Sequence, residues 1–326
     1  MAKIKKIALL TSGGDSPGMN AAIRAVVRKA IHQDLEVVGI LRGYEGLIKE
    51  EFIPMNSKSV GNIIQLGGTI LKTARSANFM TVEGRKTAYE NLVKNKIDAL
   101  VVIGGDGTFK GARVFIEEHN YPIVGLPGTI DNDLYGTDMT IGYDTALNTV
   151  VQAVDKIRDT AASHERIFFI EVMGRDAGFI ALRAGIASGA EAVLVPEMPT
   201  DLKALHEQLS EYMSSKKTSS IIFVAEGDDA GGAFKIKEAM EKFGGEFDMK
   251  VTVLGHVQRG GSPSAYDRYL ASRLGVAAVE ALLDDQRSIM IGMINREVVH
   301  VPFNQTIKHH KTIDQRLLEI VDVLNS

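Results

Sequence analysis

The chain has 326 residues, 45% of them hydrophobic and 24% charged, with a formal net charge of −4. That length exceeds what one hydrophobic core usually serves, so two domains are expected, and the acidic balance argues against a general nucleic-acid binder. Cysteine is absent, which excludes disulfides, thiolate metal sites and cysteine nucleophiles and fits a reducing compartment.

The opening Met-Ala-Lys-Ile-Lys-Lys-Ile leads into a short apolar run ending at Thr11-Ser12-Gly13-Gly14. It reads as a first strand, because a signal peptide needs a longer apolar segment and a small-residue cleavage site. No apolar run approaches the roughly 18 residues of a membrane span. No membrane partner is expected, and the cytoplasm is the expected location. Further short apolar runs at 37–41, 99–104, 123–127, 167–172, 192–195, 220–225 and 251–255 read as strands covered on both faces. Helical patterns cover 19–32, 83–95, 145–162, 202–214 and 263–283. Strand–helix alternation implies βαβ units, and hence an α/β fold of doubly wound, mostly parallel sheets. The weakest patterning, at 131–140, marks a domain junction nearby.

Three glycine-rich turns each follow a predicted strand: Thr11-Ser12-Gly13-Gly14-Asp15-Ser16-Pro17-Gly18, Gly104-Gly105-Asp106-Gly107-Thr108 and Pro127-Gly128-Thr129-Ile130-Asp131-Asn132-Asp133. In a parallel sheet such turns gather at the carboxyl edge, where backbone N–H groups and helix N-termini bind phosphates. A single such turn is most simply a strand–helix connection; three together point to a phosphate ligand. None fits the Walker pattern or the dinucleotide fingerprint. A carboxylate beside phosphates is useful when it holds Mg²⁺ or takes a proton. Asp106 suits the metal. Asp131 and Asp133 would face one pocket if their segment is extended, one as general base and the other supporting the metal; a turn with Asx caps is the alternative. Arg166 before a strand, Arg175 after Met173-Gly174, and His256 and Arg259 among glycines are candidate phosphate clamps, with solvated surface residues the plainer alternative. His164 has no such context and reads as structural.

Taken in order, these turns together with Glu171-Val172-Met173-Gly174-Arg175 and Gly255-His256-Val257-Gln258-Arg259-Gly260-Gly261 resemble the bacterial ATP-dependent 6-phosphofructokinases, from about residue 5 to 320. The resemblance implies phosphorylation of the C1 hydroxyl of fructose 6-phosphate by ATP, with the active site between two α/β domains: 1–142 plus 256–305, and 143–255 plus 306–326. It implies an ATP site of Gly14, Tyr44, Arg75, Ser76, Phe79, Asp106, Gly107, Thr108 and Gly111. Mg²⁺ would sit on Asp106 with help from Asp133. Asp131 would be the base, Thr129 would hold sugar and phosphoryl groups, and Arg75 and Arg175 would neutralise transition-state charge. Met173, Gly174, Glu226, His256 and Arg259 would shape the sugar-phosphate pocket, completed by Arg166 and Lys250 of a neighbour in a homotetramer. Glycine at 107 and 128, where pyrophosphate-using relatives carry Asp and Lys, implies ATP as the donor.

There are departures from the family pattern. Lys250 stands where arginine is usual, Met80 for arginine and Ser76 for cysteine. An ADP or phosphoenolpyruvate effector site is matched by Arg24, Arg28, Arg158, Gly189, Glu191 and Lys217, with Arg24 and Arg28 on one helix face. Ser215 departs from it, as do Ser57 and Asn62, and a solvated basic helix with little regulation is the other reading. Kinases of NAD or diacylglycerol would share the second turn but lack the third and the last blocks. A non-catalytic nucleotide sensor would be expected to have lost Asp106 or Asp131.

Overall fold

A computed structural model describes residues 4–214, 219–245, 247–309 and 311–325. The elements run β1 (Lys6–Thr11), α1 (Met19–His32), β2 (Glu36–Ile40), α2 (Gly43–Ile48), β3 (Phe52–Met55), α3 (Val82–Lys94), β4 (Ala99–Gly104), α4 (Asp106–His119), β5 (Ile123–Pro127), α5 (Tyr143–His164) and β6 (Ile167–Val172). They continue as α6 (Phe179–Ser188), β7 (Ala192–Leu194), α7 (Leu202–Ser214), β8 (Ser220–Ala225), α8 (Ala233–Glu241), β9 (Met249–Val253), α9 (Ala265–Leu283), β10 (Ile289–Ile294), β11 (Glu297–Pro302), α10 (Phe303–Lys308) and α11 (Arg316–Asn325). Short 3₁₀ turns lie at Asn78–Met80 and Gly255–Arg259. No helix among the described residues is long and apolar enough to cross a membrane.

Two compact units form, Met1–Thr145 with Arg259–Lys311 and Ala146–Gln258 with Thr312–Ser326. The first holds a seven-stranded sheet in the order β11-β10-β5-β4-β1-β2-β3. Strand alternation splits its core between two faces. Ile7 and Leu9 of β1 and Val101 and Ile103 of β4 join α1 and α9 on one side. Ala8, Leu10, Leu100 and Val102 face Tyr44, Phe79, Phe109 and Phe115 on the other. Helices α1 and α9 meet closely because α9 carries Gly275, whose absent Cβ would stand 2.7 Å from the Ala25 methyl and 3.0 Å from the Ala22 carbonyl oxygen. The second unit holds a parallel sheet, β7-β8-β6-β9. Phe169, Ile222 and Val224 pack there with Leu205, Leu209, Ile236 and Met240.

The fold is α/β and mostly parallel, as the alternation implied. Both edges of the large sheet add antiparallel strands that the patterning did not announce. In β3, Pro54 sits in an outermost strand, where a missing N–H is tolerated. The β10–β11 hairpin turns through Asn295 and Arg296, both at positive φ, 50° and 69°. That is the backbone of a two-residue hairpin loop without the glycine that usually marks it.

Candidate active site

Within the first unit the three glycine turns follow β5, β4 and β1, which are neighbours in the sheet. Strand order reverses between β1 and β4, and the crevice outside such a reversal is where open α/β sheets bind ligands. The turns are tied together by the backbone: Ser12 N–H donates to the Ile103 carbonyl at 2.9 Å and Gly128 N–H to that of Gly104 at 3.0 Å. A Cβ on Gly104 would lie 2.5 Å from the Ser12 carbonyl oxygen and 2.3 Å from Thr108 Oγ1, so only glycine lets the turns approach this closely.

The second turn opens α4. Asp106 is its first residue and pairs with Lys110 at 2.6 Å. A Cβ on Gly107 would meet nothing within 4 Å, so the helix N-terminus faces open space. Thr108 Oγ1 is buried with no hydrogen-bond partner among the described residues. Open space at a helix N-terminus and an unsatisfied buried hydroxyl together suit an incoming phosphate.

Beside α4, Tyr44 and Phe79 stack with centroids 3.9 Å apart and planes 8° from parallel. Gly111 lies against both rings; its Cβ would approach Tyr44 to 3.2 Å and Phe79 to 3.3 Å. The Tyr44 hydroxyl donates to the Thr108 carbonyl at 2.7 Å, and burial pushes its pKa far up, so it stays a donor. Ser76 Oγ donates to Glu45 at 2.7 Å and accepts from Phe79 N–H at 3.2 Å, so this hydroxyl holds its own segment. Arg75 is exposed in the adjoining coil. Arg85 of α3 completes the support: Nη1 donates to the Phe79 carbonyl at 3.0 Å, and Nε and Nη2 grip Glu118 at 2.7 and 2.6 Å.

The third turn departs from expectation. Asn132 has φ 54°, so 131–133 is not extended. The two carboxylates do not share a side by strand alternation. Asp131 is buried and Asp133 half-buried. The segment is a loop stapled on itself. Asp131 N–H donates to Thr129 Oγ1 at 3.2 Å, Thr140 N–H to Asn132 Oδ1 at 2.9 Å, and Thr140 Oγ1 to the Thr129 carbonyl at 2.6 Å. Arg259 reaches this loop and the first turn together. It donates to the Asp15 carbonyl at 3.2 Å and stands 3.9 Å from Asp131 Oδ1. Its Nη1 lies 2.5 Å from where a Cβ of Gly14 would be, which explains that glycine.

In the second unit, Gly174 and Arg175 carry φ 148° and 54° and aim successive N–H groups at Glu226 Oε1, at 3.3 and 2.8 Å. Met173 N–H donates to Gln258 Oε1 at 3.2 Å. His256 is exposed in its 3₁₀ turn. Arg166 and Lys250, at the ends of paired strands β6 and β9, share Asp248, each at 2.6 Å. Their hydrogen bonds, that from Lys250 foremost, hold its carboxyl below the usual range.

A family model described as Phosphofructokinase matches residues 6–282. The chain belongs to the phosphofructokinase family. It is 57% identical over 325 residues to a Bacteroides thetaiotaomicron protein named ATP-dependent 6-phosphofructokinase 2, with 100% of both chains covered. It is 56% identical to the Thermus thermophilus protein named ATP-dependent 6-phosphofructokinase 1, over 98% of this chain and 99% of that one. Among solved structures, a phosphofructokinase from Saccharomyces cerevisiae superposes with a TM-score of 0.86 at 39% identity, over 98% of this chain and 47% of that chain.

Two of this phosphofructokinase's effector candidates, Arg158 and Glu191, have internal partners. Arg158 donates to the Ser188 and Gly189 carbonyls at 2.6 and 2.8 Å, at the C-terminal end of α6. Glu191 is buried and accepts from Ile221 N–H at 2.6 Å. Arg24 and Arg28 both lie on α1, half-buried and exposed. Lys217 and Ser215 lie outside the described residues. Asn132 was legible as part of a turn with Asx caps, whereas Thr140, which holds the third turn, and Asp267, which holds Gly142 and Thr145, were not. Only Ser264-x-x-Asp267, a helix-capping spacing, carried a signal.

Proposed function

We propose that this phosphofructokinase transfers the γ-phosphoryl group of ATP to the C1 hydroxyl of fructose 6-phosphate, giving fructose 1,6-bisphosphate and ADP at the committing step of glycolysis. What carries the reading is one conjunction: a chain 57% identical over its full length to a protein of that name keeps Asp131 buried beside Arg259 where three glycine turns converge. In this reading Asp131 takes the C1 hydroxyl proton as the oxygen attacks the γ-phosphorus, and the bond from that phosphorus to the β–γ bridging oxygen breaks, releasing ADP. Arg259 stands 3.9 Å from Asp131 Oδ1 and sets a cation beside the proposed base. Thr129, next to it, orients the sugar hydroxyl and the phosphoryl group.

The first unit serves as the nucleotide domain, with the N-terminus of α4 and Gly14 at the phosphates and the Tyr44–Phe79 stack with Arg75 toward the rest of the nucleotide. Among the described residues no three carboxylates or histidines gather into a metal cage. A Mg²⁺ that arrives on ATP needs only one or two carboxylates, and Asp106 with Asp133 fits that demand. When bound, the ion neutralises phosphate charge. Open space at Gly107 supports ATP over pyrophosphate as donor. Met173, Gly174, Arg175, Glu226 and His256 are assigned to sugar phosphate or transition-state charge, with Arg166 and Lys250 serving a neighbour's site in a cytoplasmic homotetramer. ADP or phosphoenolpyruvate at Arg24, Arg28 and Arg158 would regulate it.

The test is a coupled assay on fructose 6-phosphate with Mg·ATP and, separately, Mg·pyrophosphate, on the wild type and Asp131→Ala. Turnover with ATP alone, cut about 10²–10⁴-fold in the variant with ATP binding kept, is expected. Pyrophosphate turnover overturns the donor assignment, and near-normal turnover of the variant removes Asp131 from the mechanism.

A further inference from the structure

Behind the first and third turns lies a carboxylate that the proposed chemistry leaves unused. Asp267, in the first turn of α9, is 0% exposed and accepts three hydrogen bonds. Gly142 N–H donates to its Oδ1 at 2.8 Å, and Thr145 N–H and hydroxyl donate to its Oδ2 at 2.8 and 2.5 Å. Thr145 Oγ1 accepts in turn from Ser264 N–H at 2.9 Å, and Ser264 Oγ accepts from Asp267 N–H at 3.1 Å while donating to Asp144 at 2.5 Å. Two helix starts, α5 and α9, therefore cap each other, each satisfying N–H groups that the other helix cannot.

The segment entering α5 is the returning limb of the loop that carries Thr129 and Asp131. Ile141 N–H donates to the Pro127 carbonyl at 2.8 Å, and Ile141 pairs with Gly128 as an isolated bridge. One residue earlier, Thr140 holds Thr129 and Asn132. The first turn grips the same limb through Ser16 Oγ, which donates to the Ile141 carbonyl at 2.8 Å. Gly18 leaves room behind it; a Cβ there would stand 2.7 Å from Ile141 and 3.5 Å from the Asp267 Cβ. Gly142 and Thr145 are thus points at which this limb, gripped also at Ile141 by Ser16, is fixed to the body of the unit, and Asp267 accepts from both.

We propose that Asp267 is a positioning residue for phosphoryl transfer: as a carboxylate it clamps the returning limb of the catalytic loop and thereby sets Thr129 and Asp131. This rests on the reading of Asp131 as base. The site demands an acceptor-only group, because three donors converge on two oxygens; an amide would turn its own N–H against one of them. Burial lifts the Asp267 carboxyl from 3.8 to about 6. Of the groups facing it, Asp144 of α5 adds to the rise. Arg268 of α9 is turned to the Pro263 carbonyl and Ser262 hydroxyl. The limb 140–142 and the turn 16–18 contribute no titratable side chain. The clamp is therefore intact above about pH 6 and loses an acceptor below it. The folded chain binds this proton more tightly than the unfolded chain, so the stability contributed by the group rises as pH falls through that window. Loss of turnover there is therefore not unfolding driven by this group.

The experiment measures kcat, both KM values, Tm and amide exchange of 127–145 between pH 5 and 8 for the wild type, Asp267→Asn, Thr145→Val and Thr145→Ser. Expected for Asp267→Asn is a kcat lower by roughly 10–100-fold, with KM for ATP within about twofold, loss of the wild-type fall in kcat near pH 6, and loss of protection at Gly142 and Thr145. Thr145→Val, which keeps the carboxylate, should follow in part, and Thr145→Ser should restore both turnover and protection. Unchanged kcat in Asp267→Asn, or a fall in kcat matched by an equal fall in the Tm of every variant, overturns the clamp. If Asp131→Ala proves active while Asp267→Asn still unprotects the limb, the assignment of the base has failed and the clamp has not.

Discussion

Arg85 offers a measurable link between packing and the nucleotide side of the site. Arg85 is 8% exposed, and its guanidinium makes two charge-assisted bonds to Glu118 and one to the Phe79 carbonyl. Arg85→Met keeps most of the side-chain volume and removes all three. The two charged bonds would each contribute about 1.5–3 kcal/mol if fully buried. The Glu118 side chain is 26% exposed and can rehydrate, which reduces the loss to about 2 kcal/mol in total. For a unit of this size that lowers Tm by roughly 4–8 °C. Hydrogen bonding to Arg85 holds the Glu118 carboxyl below its ordinary 4.5. A depressed carboxyl contributes stability that is present above that value and is lost as pH falls through the folded one. Urea unfolding should show a constant gap between wild type and variant from pH 7 to about 5, narrowing below. Because Phe79 loses its backbone anchor, KM for ATP should rise severalfold while KM for fructose 6-phosphate stays put. An undiminished gap in acid, or a stability loss below about 0.5 kcal/mol, would refute the accounting given to this pair.

Gly107→Asp should leave Tm within a degree or two, since a Cβ there meets nothing, yet raise KM for ATP at least tenfold by setting a carboxylate against the nucleotide phosphates; an unchanged KM would remove Gly107 from the site. The partner change Gly128→Lys should be harder to accommodate, because its Cβ would lie 3.0 Å from Ile103 and 3.1 Å from Met19. Lys250→Arg should lower KM for fructose 6-phosphate by restoring a two-pronged phosphate grip, and an equal or higher KM would show that Lys250 serves only its pairing with Asp248.

Much of the fold was legible because parallel strands buried on both faces write continuous apolar runs. The strands 99–104, 123–127, 167–172 and 220–225 match the observed limits residue for residue. The unannounced elements lie where local signals conflict. Helix α4 begins with Asp-Gly-Thr and carries a second glycine at 111, a composition that reads as loop. Gly107 faces open space and Gly111 faces an aromatic stack. The helix forms because Phe109, Ala112 and Phe115 are buried beneath it, a tertiary gain that outweighs the propensity cost of two glycines, about 1 kcal/mol each.

The site was legible as a set of turns but not as a network, and the reason is chemical. Glycines and carboxylates after strands announce themselves by type. The groups that aim them are ordinary polar residues whose meaning lies in partners more than a hundred positions away: Thr145 with Asp267 and Ser264, or Arg259 over Gly14. Asp131 and Asp133 would share one side only in an extended segment, whereas Asn132 takes φ 54° and is stapled to Asp138 and Thr140 across the loop. Once Asn132 is so held, Asp131 turns inward to Arg259 and Asp133 stays partly in water. The two carboxylates therefore occupy different environments despite their spacing, and the proposed division of labour between Asp131 as base and Asp133 as metal ligand would use that difference, one dry beside a cation and the other partly in water.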